Sequence, residues 1–180
     1  MQINNTTSSP NFGMALKIKP SAMESLKKAP IETLESLEKI GTDLKDTKYY
    51  HLEIGENLNP EITSPYANKY SGSFEVKKPD RLYPELLNYR TEWAGTELNG
   101  MKKGERYDAI ISYSSKEAAL EAYNKINNAK SNLEKAAILT KELDNREIQK
   151  RAIEEQERLA NKIKEEKATS LFDRFGIKAE

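Results

Sequence analysis

The sequence predicts an α+β fold: a mainly antiparallel sheet of four or five strands, N-terminal helices on one face, and a long C-terminal helix or helical hairpin. Before residue 114, apolar residues alternate at period two in several short segments, as they do in half-buried strands. Between Pro30 and Gly41 they recur at the helical interval. From Ser114 to Lys167 the chain is almost wholly charged, small or helix-forming, which indicates extended helix.

Composition divides the chain into four parts. Residues 1–12 are rich in Ser, Thr and Asn and predict a disordered leader. We expect an α+β body over residues 13–113, a helical extension over 114–168 and an apolar tail over 169–180.

Strands are predicted over residues 14–19, 49–54 and 73–78, and on both sides of a later hairpin. The clearest early strand is 49–54, because Tyr50, Leu52 and Ile54 fall on one face. Residues 55–71 contain two prolines and several Asn and Ser residues, so we expect a loop there.

The hairpin is signalled by Asn99-Gly100, a strong two-residue turn sequence. A simple turn would set Trp93 opposite Arg106 and put the apolar residues of the two strands on opposite faces. One extra residue in the returning strand restores a common face and sets Trp93 opposite Tyr107. We therefore predict a β-bulge in that strand, with Gly104 as its host.

Helix signals are also present near the N-terminus. The capping-box spacing of Ser21 and Glu24 predicts a helix start, with Met23 and Leu26 facing inward. Pro30 should interrupt or restart this helix. The following stripe should end at Gly41 as a C-cap.

The C-terminal helical run should begin at the capping box Ser114 to Glu117. Its spacing Asp144-Asn-Arg-Glu147 repeats a cap, so either two helices meet near Asn145 or one helix kinks there. Beyond Ile148 the apolar stripe is narrow. We expect a helix of this kind to pack against a partner, either the body of the protein or a second copy. The apolar face of the first part comprises Ala119, Tyr123, Ile126, Leu133, Ala136, Ala137 and Leu143.

Composition excludes several kinds of site. The chain has no cysteine, which rules out disulfides, thiolate catalysis, Cys-ligated zinc and iron–sulfur clusters. His51 is the single histidine, so a two-histidine mechanism is excluded as well. The glycine-rich phosphate-binding signatures do not occur. We expect neither a metal nor a cofactor.

Charge and hydropathy bear on partners and location. The 29 Lys and Arg residues equal the 29 Asp and Glu residues, which disfavours nucleic acid and anionic lipid as partners. No apolar run reaches the length of a membrane span, so we expect a cytoplasmic protein without membrane contact. The leader over residues 1–12 resembles those of proteins exported by bacterial type III systems, which leaves export as an alternative.

One candidate site lies on the polar face of the predicted sheet, where a histidine and carboxylates near an arginine could polarise a substrate or move a proton. The same pattern is also typical of a wet sheet face with interspersed charges. The polar face should carry His51, Glu53, Glu75, Arg90, Glu92 and Asp108.

A second candidate is the tail, where Leu171, Phe172, Phe175 and Ile177 come together. These anchors suit docking of a helical turn in a groove, or sealing of the helix end against its own domain. Ser170-Leu-Phe172 resembles the last part of the short peptide by which many bacterial proteins dock on the DNA sliding clamp. Ala168 stands near the place of the glutamine that opens that motif.

We therefore expect a non-catalytic protein-interaction or assembly module that binds a protein partner or a second copy of itself. The alternative is a small enzyme whose site combines His51, Glu53, Arg90 and Glu92. Convergence of those four side chains in a concave pocket would favour the enzyme, and dispersion would favour the module. The expected contact residues are Leu159, Ile163, Leu171, Phe172, Phe175 and Ile177.

Overall fold

The computed structural model describes residues 15–66, 68–97 and 100–175. The predicted leader over residues 1–12 therefore lies outside the described residues, as do Asn99, Gly176 and Ile177. The chain divides into two compact units, Met1–Asp144 and Asn145–Glu180. Each is described by itself.

The first unit contains a six-stranded mixed sheet within the described residues. Its strands lie side by side in chain order, with the first two parallel and all other neighbours antiparallel. The α+β class is confirmed, with more strands than the predicted four or five. The strands are β1 (Leu16–Ile18), β2 (His51–Ile54), β3 (Pro60–Thr63), β4 (Lys69–Lys77), β5 (Leu86–Trp93) and β6 (Arg106–Ser112).

The additional strand is β3, which lies in the segment predicted to be a loop. Pro60 is its first residue, a position where the missing N–H is tolerated. Pro60 and Ile62 are buried and alternate with partly exposed residues, but four residues are too few for this alternation to stand out in the sequence. The loop prediction for residues 55–71 was wrong because β3, and the start of β4 at Lys69, are set by pairing with neighbouring strands.

Residues directly opposite one another across the strands share one apolar face. Leu16, Leu52, Ile62, Tyr70 and Trp93 form one such row through the registers of β1 to β5. This face joins the helices in a single buried cluster. The described helices are α1 (Met23–Lys27), α2 (Ile31–Asp43), α3 (Lys116–Asn127) and α4 (Asn132–Arg174).

The β5–β6 hairpin contains the predicted glycine bulge. The N–H of Gly104 donates to the Trp93 carbonyl at 2.8 Å, and the Trp93 N–H donates to the Glu105 carbonyl at 2.8 Å. Two residues thus oppose Trp93, and Gly104 has a φ of 85°.

The predicted register was wrong by two residues, because Tyr107 lies opposite Thr91 and not opposite Trp93. A backbone turn from Lys102 to Glu105, closed by a 3.0 Å hydrogen bond, uses residues that the prediction left to the returning strand. Since the shift is an even number of residues, the apolar faces still match.

The N-terminal helices depart from prediction in three details. No side-chain hydrogen bond caps α1, and Met23 is exposed while Leu26 packs against the core. Pro30 does restart the helix, at the N-cap of α2. Gly41 is buried inside α2, which continues to Asp43, so it is not the C-cap. Burial of Gly41 against the core outweighs its local helix-ending tendency.

The C-terminal helical run is divided at residues 128–131 and not near Asn145. Ser131 Oγ accepts from the Glu134 N–H at 3.2 Å, and a Glu134 carboxylate oxygen accepts from the Lys130 N–H at 2.8 Å. This reciprocal cap starts α4. The sequence Ser131-Asn-Leu-Glu134 has the same spacing as the capping boxes at Ser21 and Ser114, so this helix start has a local sequence signal.

Candidate functional site

The four residues of the enzyme hypothesis lie on two separate strands. His51 and Glu53 belong to β2, whereas Arg90 and Glu92 belong to β5. Strands β3 and β4 lie between them. With strands spaced at roughly 4.8 Å, the two pairs are about 14 Å apart along the sheet. The structure therefore does not bring the four side chains together.

Glu53 lies in a cluster of alternating charges on the polar face of the first four strands. Lys19 Nζ contacts Glu53 at 3.3 Å and Glu61 at 2.5 Å, and Lys69 Nζ contacts Glu53 at 3.6 Å. Partial burial pulls the pKa of Lys19 down, but the hydrogen bond and charge of Glu61, with the charge of Glu53, outweigh it and raise the pKa. The lysine is held protonated and cannot serve as a base.

Arg90 belongs to a second charged cluster on the last three strands. Its Nε donates to an Asp108 carboxylate oxygen at 3.0 Å, and Lys77 Nζ contacts the same carboxylate at 3.1 Å. The hydrogen bond from Arg90 and then that from Lys77 lower the pKa of Asp108. Glu75 lies directly opposite Arg90 across the strands. Exposed ion pairs of this kind are typical of a sheet face that lies in solvent.

Glu92 lies over a backbone irregularity of β4. The register shifts between Ser71 and Glu75, and Gly72 within this bulge has a φ of 85°. A Cβ at Gly72 would meet Glu92 Cδ at 2.8 Å, so the carboxylate side chain covers the glycine. Its position is explained by packing against this bulge.

His51 is half-buried and lies directly opposite Thr63. Its Nδ1 and the Thr63 Oγ1 are both inaccessible, and neither has a hydrogen-bond partner among the residues that the structure describes. Burial, followed by the positive charge of Lys17, lowers the pKa of His51, although Glu53 and Asp144 act in the opposite direction. The imidazole is therefore held neutral in the fold.

The most strongly bonded carboxylate of the first unit is Asp144, which is 1% exposed. It accepts hydrogen bonds from the backbone N–H groups of Lys48, Tyr49 and Tyr50 at 2.6–3.1 Å. Sequence patterning assigned Asp144 to a helix cap. It instead fixes the chain segment that enters β2, and no local pattern reveals a partner 94–96 residues away.

Asn132 performs a similar task at the β4 bulge. Its Oδ1 accepts from the Phe74 N–H at 3.1 Å, and its Nδ2 donates to the Gly72 carbonyl at 2.5 Å. The side-chain amide thus satisfies backbone groups that the bulge removes from the strand ladder.

Within residues 15–66, 68–97 and 100–175, no group of three or more His, Asp or Glu side chains is placed to hold a metal ion. None of the helices in those ranges is both long enough and apolar enough to cross a membrane.

The second unit presents most of its apolar side chains to solvent. The predicted contact residue Ile177 lies outside the described residues. Leu171 and Phe172 occupy the last turn of α4, and Phe175 follows it. The exposed fractions are 48% for Leu159, 52% for Ile163, 49% for Leu171, 45% for Phe172 and 74% for Phe175.

Ion pairs between neighbouring side chains lie along the charged side of α4. Glu147 pairs with Arg151 at 2.6 Å, and Arg158 pairs with Glu155 at 2.7 Å. Such pairs stabilise a solvated helix by roughly 0.2–0.5 kcal/mol each. The helix therefore carries local support on its charged side and an exposed apolar set elsewhere.

Comparison with known proteins adds no relationship, since no protein-family model, no curated protein and no solved structure matches the chain.

Proposed function

We infer that the protein is a non-catalytic interaction or assembly module that binds a protein partner, or a further copy of itself, through the second half of α4 and the apolar tail. The observation that carries this proposal is the exposure of large apolar side chains along one helix. Leu159, Ile163 and Leu171 each leave about half of their surface in water. Exposed apolar surface of this extent commonly marks an interaction site.

The charge distribution supports a protein partner. Between Asn145 and Phe175 the basic and acidic residues are nearly equal in number and form pairs along the helix. A surface of this kind gives little attraction for nucleic acid or anionic lipid, which are recognised through a net positive field. Apolar anchors with a polar surround are instead typical of protein interfaces.

The enzyme alternative finds little support in the geometry. His51 and Glu53 are separated from Arg90 and Glu92 by two strands, and the charged side chains pair with near neighbours. A catalytic group would need to share a concave site with its partners. The sheet face offers dispersed pairs on an open surface.

Position-specific photo-cross-linking in cells of the source organism tests the proposal. A photoreactive residue replaces Leu159 in one variant and Leu171 in another. Asn161, which lies on the charged side of the same helix, is the matched control. We expect discrete cross-linked products from positions 159 and 171 and none from position 161.

The masses of those products distinguish the partners. A product of twice the chain mass identifies a second copy, and any other discrete mass identifies a different protein. If neither apolar position gives a product above the Asn161 background, the second unit is not an interaction surface and the proposed function fails.

A further inference from the structure

The second half of α4 has one side that is free of charge. At 3.6 residues per turn, eight uncharged residues between Ile148 and Ile163 fall within an arc of about 140°. Every other residue from Glu147 to Glu165 is charged, apart from Asn161. We call these eight residues the neutral face: Ile148, Gln149, Ala152, Ile153, Gln156, Leu159, Ala160 and Ile163.

The neutral face follows the heptad spacing of a helix that packs against another helix. Gln149, Gln156 and Ile163 repeat every seven residues, and Ala152 and Leu159 fall at the intervening positions. Gln149, Gln156 and Ile163 occupy the a positions of a coiled-coil seam, and Ala152 and Leu159 occupy the d positions. The residues beside the seam are Ile153 and Ala160 on one flank and Glu155 and Lys162 on the other.

A parallel pair of such helices would juxtapose like charges. In a parallel coiled coil each a or d residue meets its own counterpart, so Glu166, the next d residue, would meet Glu166 of the second copy. On the flanks, Lys162 would approach Lys167 of the second copy, five residues further on. Both contacts are repulsive.

An antiparallel pair is complementary in size. When a residues of one helix face d residues of the other, Ala152 lies opposite Ile163 of the second copy. Gln156 lies opposite Leu159 in the same register, and on one flank Ile153 meets Ala160. Ala152 against Ile163 and Ala160 against Ile153 each set a small side chain against a large one, which lets the helices approach closely. At the ends of the seam Gln149 lies opposite Glu166.

The antiparallel register is also complementary in charge near its centre, whereas at its ends Arg146 approaches Lys167 of the second copy. On the second flank Glu155 lies beside Lys162 of the second copy, and two-fold symmetry makes this pair twice. In the single chain Glu155 contacts Arg158, while Lys162 is 3.9 Å from Glu166. Both side chains are exposed and can turn toward a second copy.

We propose that the neutral face packs antiparallel against the neutral face of a second copy, with a two-fold axis between Glu157 and Arg158 along the helix. This inference rests on the proposed function and names its partner. The protein would be a homodimer whose interface is made by residues 149–166, and the tail residues Leu171, Phe172 and Phe175 would lie beyond the paired segment.

Cysteine cross-linking of the full chain tests both the partner and its direction. The natural chain has no cysteine, so the background is empty. Ala152→Cys and Ile163→Cys proteins, one carrying an affinity tag to change its mass, are mixed and oxidised. We expect a disulfide between the two different chains and little between identical ones. An Asn161→Cys protein, altered on the charged side, should form no disulfide-linked dimer under the same oxidation.

A charge exchange gives an independent readout. Glu155→Lys should weaken the dimer, measured by sedimentation equilibrium, by about 2- to 10-fold. Adding Lys162→Glu to the same chain should restore it, because the pair is reconstituted in the opposite sense. Circular dichroism serves as the folding control for each variant.

Three results would overturn the antiparallel dimer. They are disulfides between identical chains only, failure of the second charge change to restore the dimer, and a monomeric mass at every accessible concentration. The last result would not touch the proposed function if photo-cross-links from Leu159 still reached a protein of different mass. Loss of both signals would remove both proposals.

Discussion

Asp144 is a residue whose loss should lower the stability of the first unit. Replacing it with Ala leaves the N–H groups of Lys48, Tyr49 and Tyr50 without their acceptor. We expect a loss of about 2–4 kcal/mol in the free energy of unfolding, measured by chemical denaturation. The matched control is Asp46→Ala, which removes an exposed carboxylate. Equal stability of the two variants would show that the Asp144 bonds contribute nothing net.

His51 should make stability depend on pH. Burial lowers its pKa in the folded chain, below the value of 6.5 that applies to the unfolded chain. The unfolded state then binds more protons as pH falls below 6.5, so stability is full above that pH and declines below it.

The test is to compare denaturation midpoints at pH 7.5 and 5.5 in the natural chain and in a His51→Phe variant. Phe keeps a ring but cannot titrate, and no other histidine is present. We expect the natural chain to lose stability over this interval and the variant to lose less. An identical pH dependence in both proteins would contradict the burial of a neutral imidazole.

At the scale of single elements, the start of α3 distinguishes two adjacent serines, only one of which caps the helix. Ser115 is the N-cap, and its Oγ accepts from the Ala118 N–H at 3.2 Å. The sequence pattern pointed instead to Ser114, which is exposed. Ser115→Ala should lower stability by about 1 kcal/mol. Ser114→Ala should change the stability little. A larger loss from Ser114→Ala than from Ser115→Ala would show that Ser114 is the N-cap, as the sequence pattern predicted.

The bulge at Gly104 offers a test of backbone conformation alone. Its φ of 85° is unfavourable for residues with a Cβ, yet an added Cβ would meet no atom within 4 Å. Gly104→Ala should therefore cost about 1–2 kcal/mol from backbone strain. Asn tolerates this conformation better, so Gly104→Asn should cost less. Thermal denaturation of the two variants measures both losses of stability. Equal losses would indicate that a steric clash, and not the positive φ, causes the destabilisation.

These elements also show how far local patterns reach. The apolar faces around Ile126 in α3 and Leu133 in α4, the strand alternation in β5 and the bulge at Gly104 were predictable because each depends on neighbours in sequence. The strand β3 and the placement of the β5–β6 pairs depend on backbone partners elsewhere in the sheet. No short-range periodicity specifies such partners.

At the scale of the whole molecule, the tail can be either a structural plug or a docking segment. Leu171, Phe172 and Phe175 are 45–74% exposed. A chain ending at Glu166 should therefore unfold with a free energy within about 0.5 kcal/mol of the full chain, and it should keep the proposed dimer, whose interface does not use the tail. Urea denaturation measures the first and sedimentation the second. A plug would instead cost roughly 1.5–3 kcal/mol for each buried side chain.

The candidate catalytic residues show, at this same scale, what local patterns leave undetermined. Alternation along β2 and β5 correctly placed His51, Glu53, Arg90 and Glu92 on non-core faces, since side-chain direction is a local property of a strand. The distance between the two pairs depends on strand order. A predicted four- or five-stranded sheet left open whether β2 and β5 were neighbours, and two strands separate them.

The sequence by itself determined the α+β class, the amphipathic surfaces of helices and strands, the glycine bulge and the absence of cysteine chemistry. Each follows from residue type and short-range spacing. Only the tertiary structure decided that Asp144 anchors the segment before β2, that Asn132 completes the β4 bulge, and that the charged residues of the sheet form two separate clusters. These contacts join residues that are far apart in the chain, and the energy that selects them arises only when the strands and helices have packed.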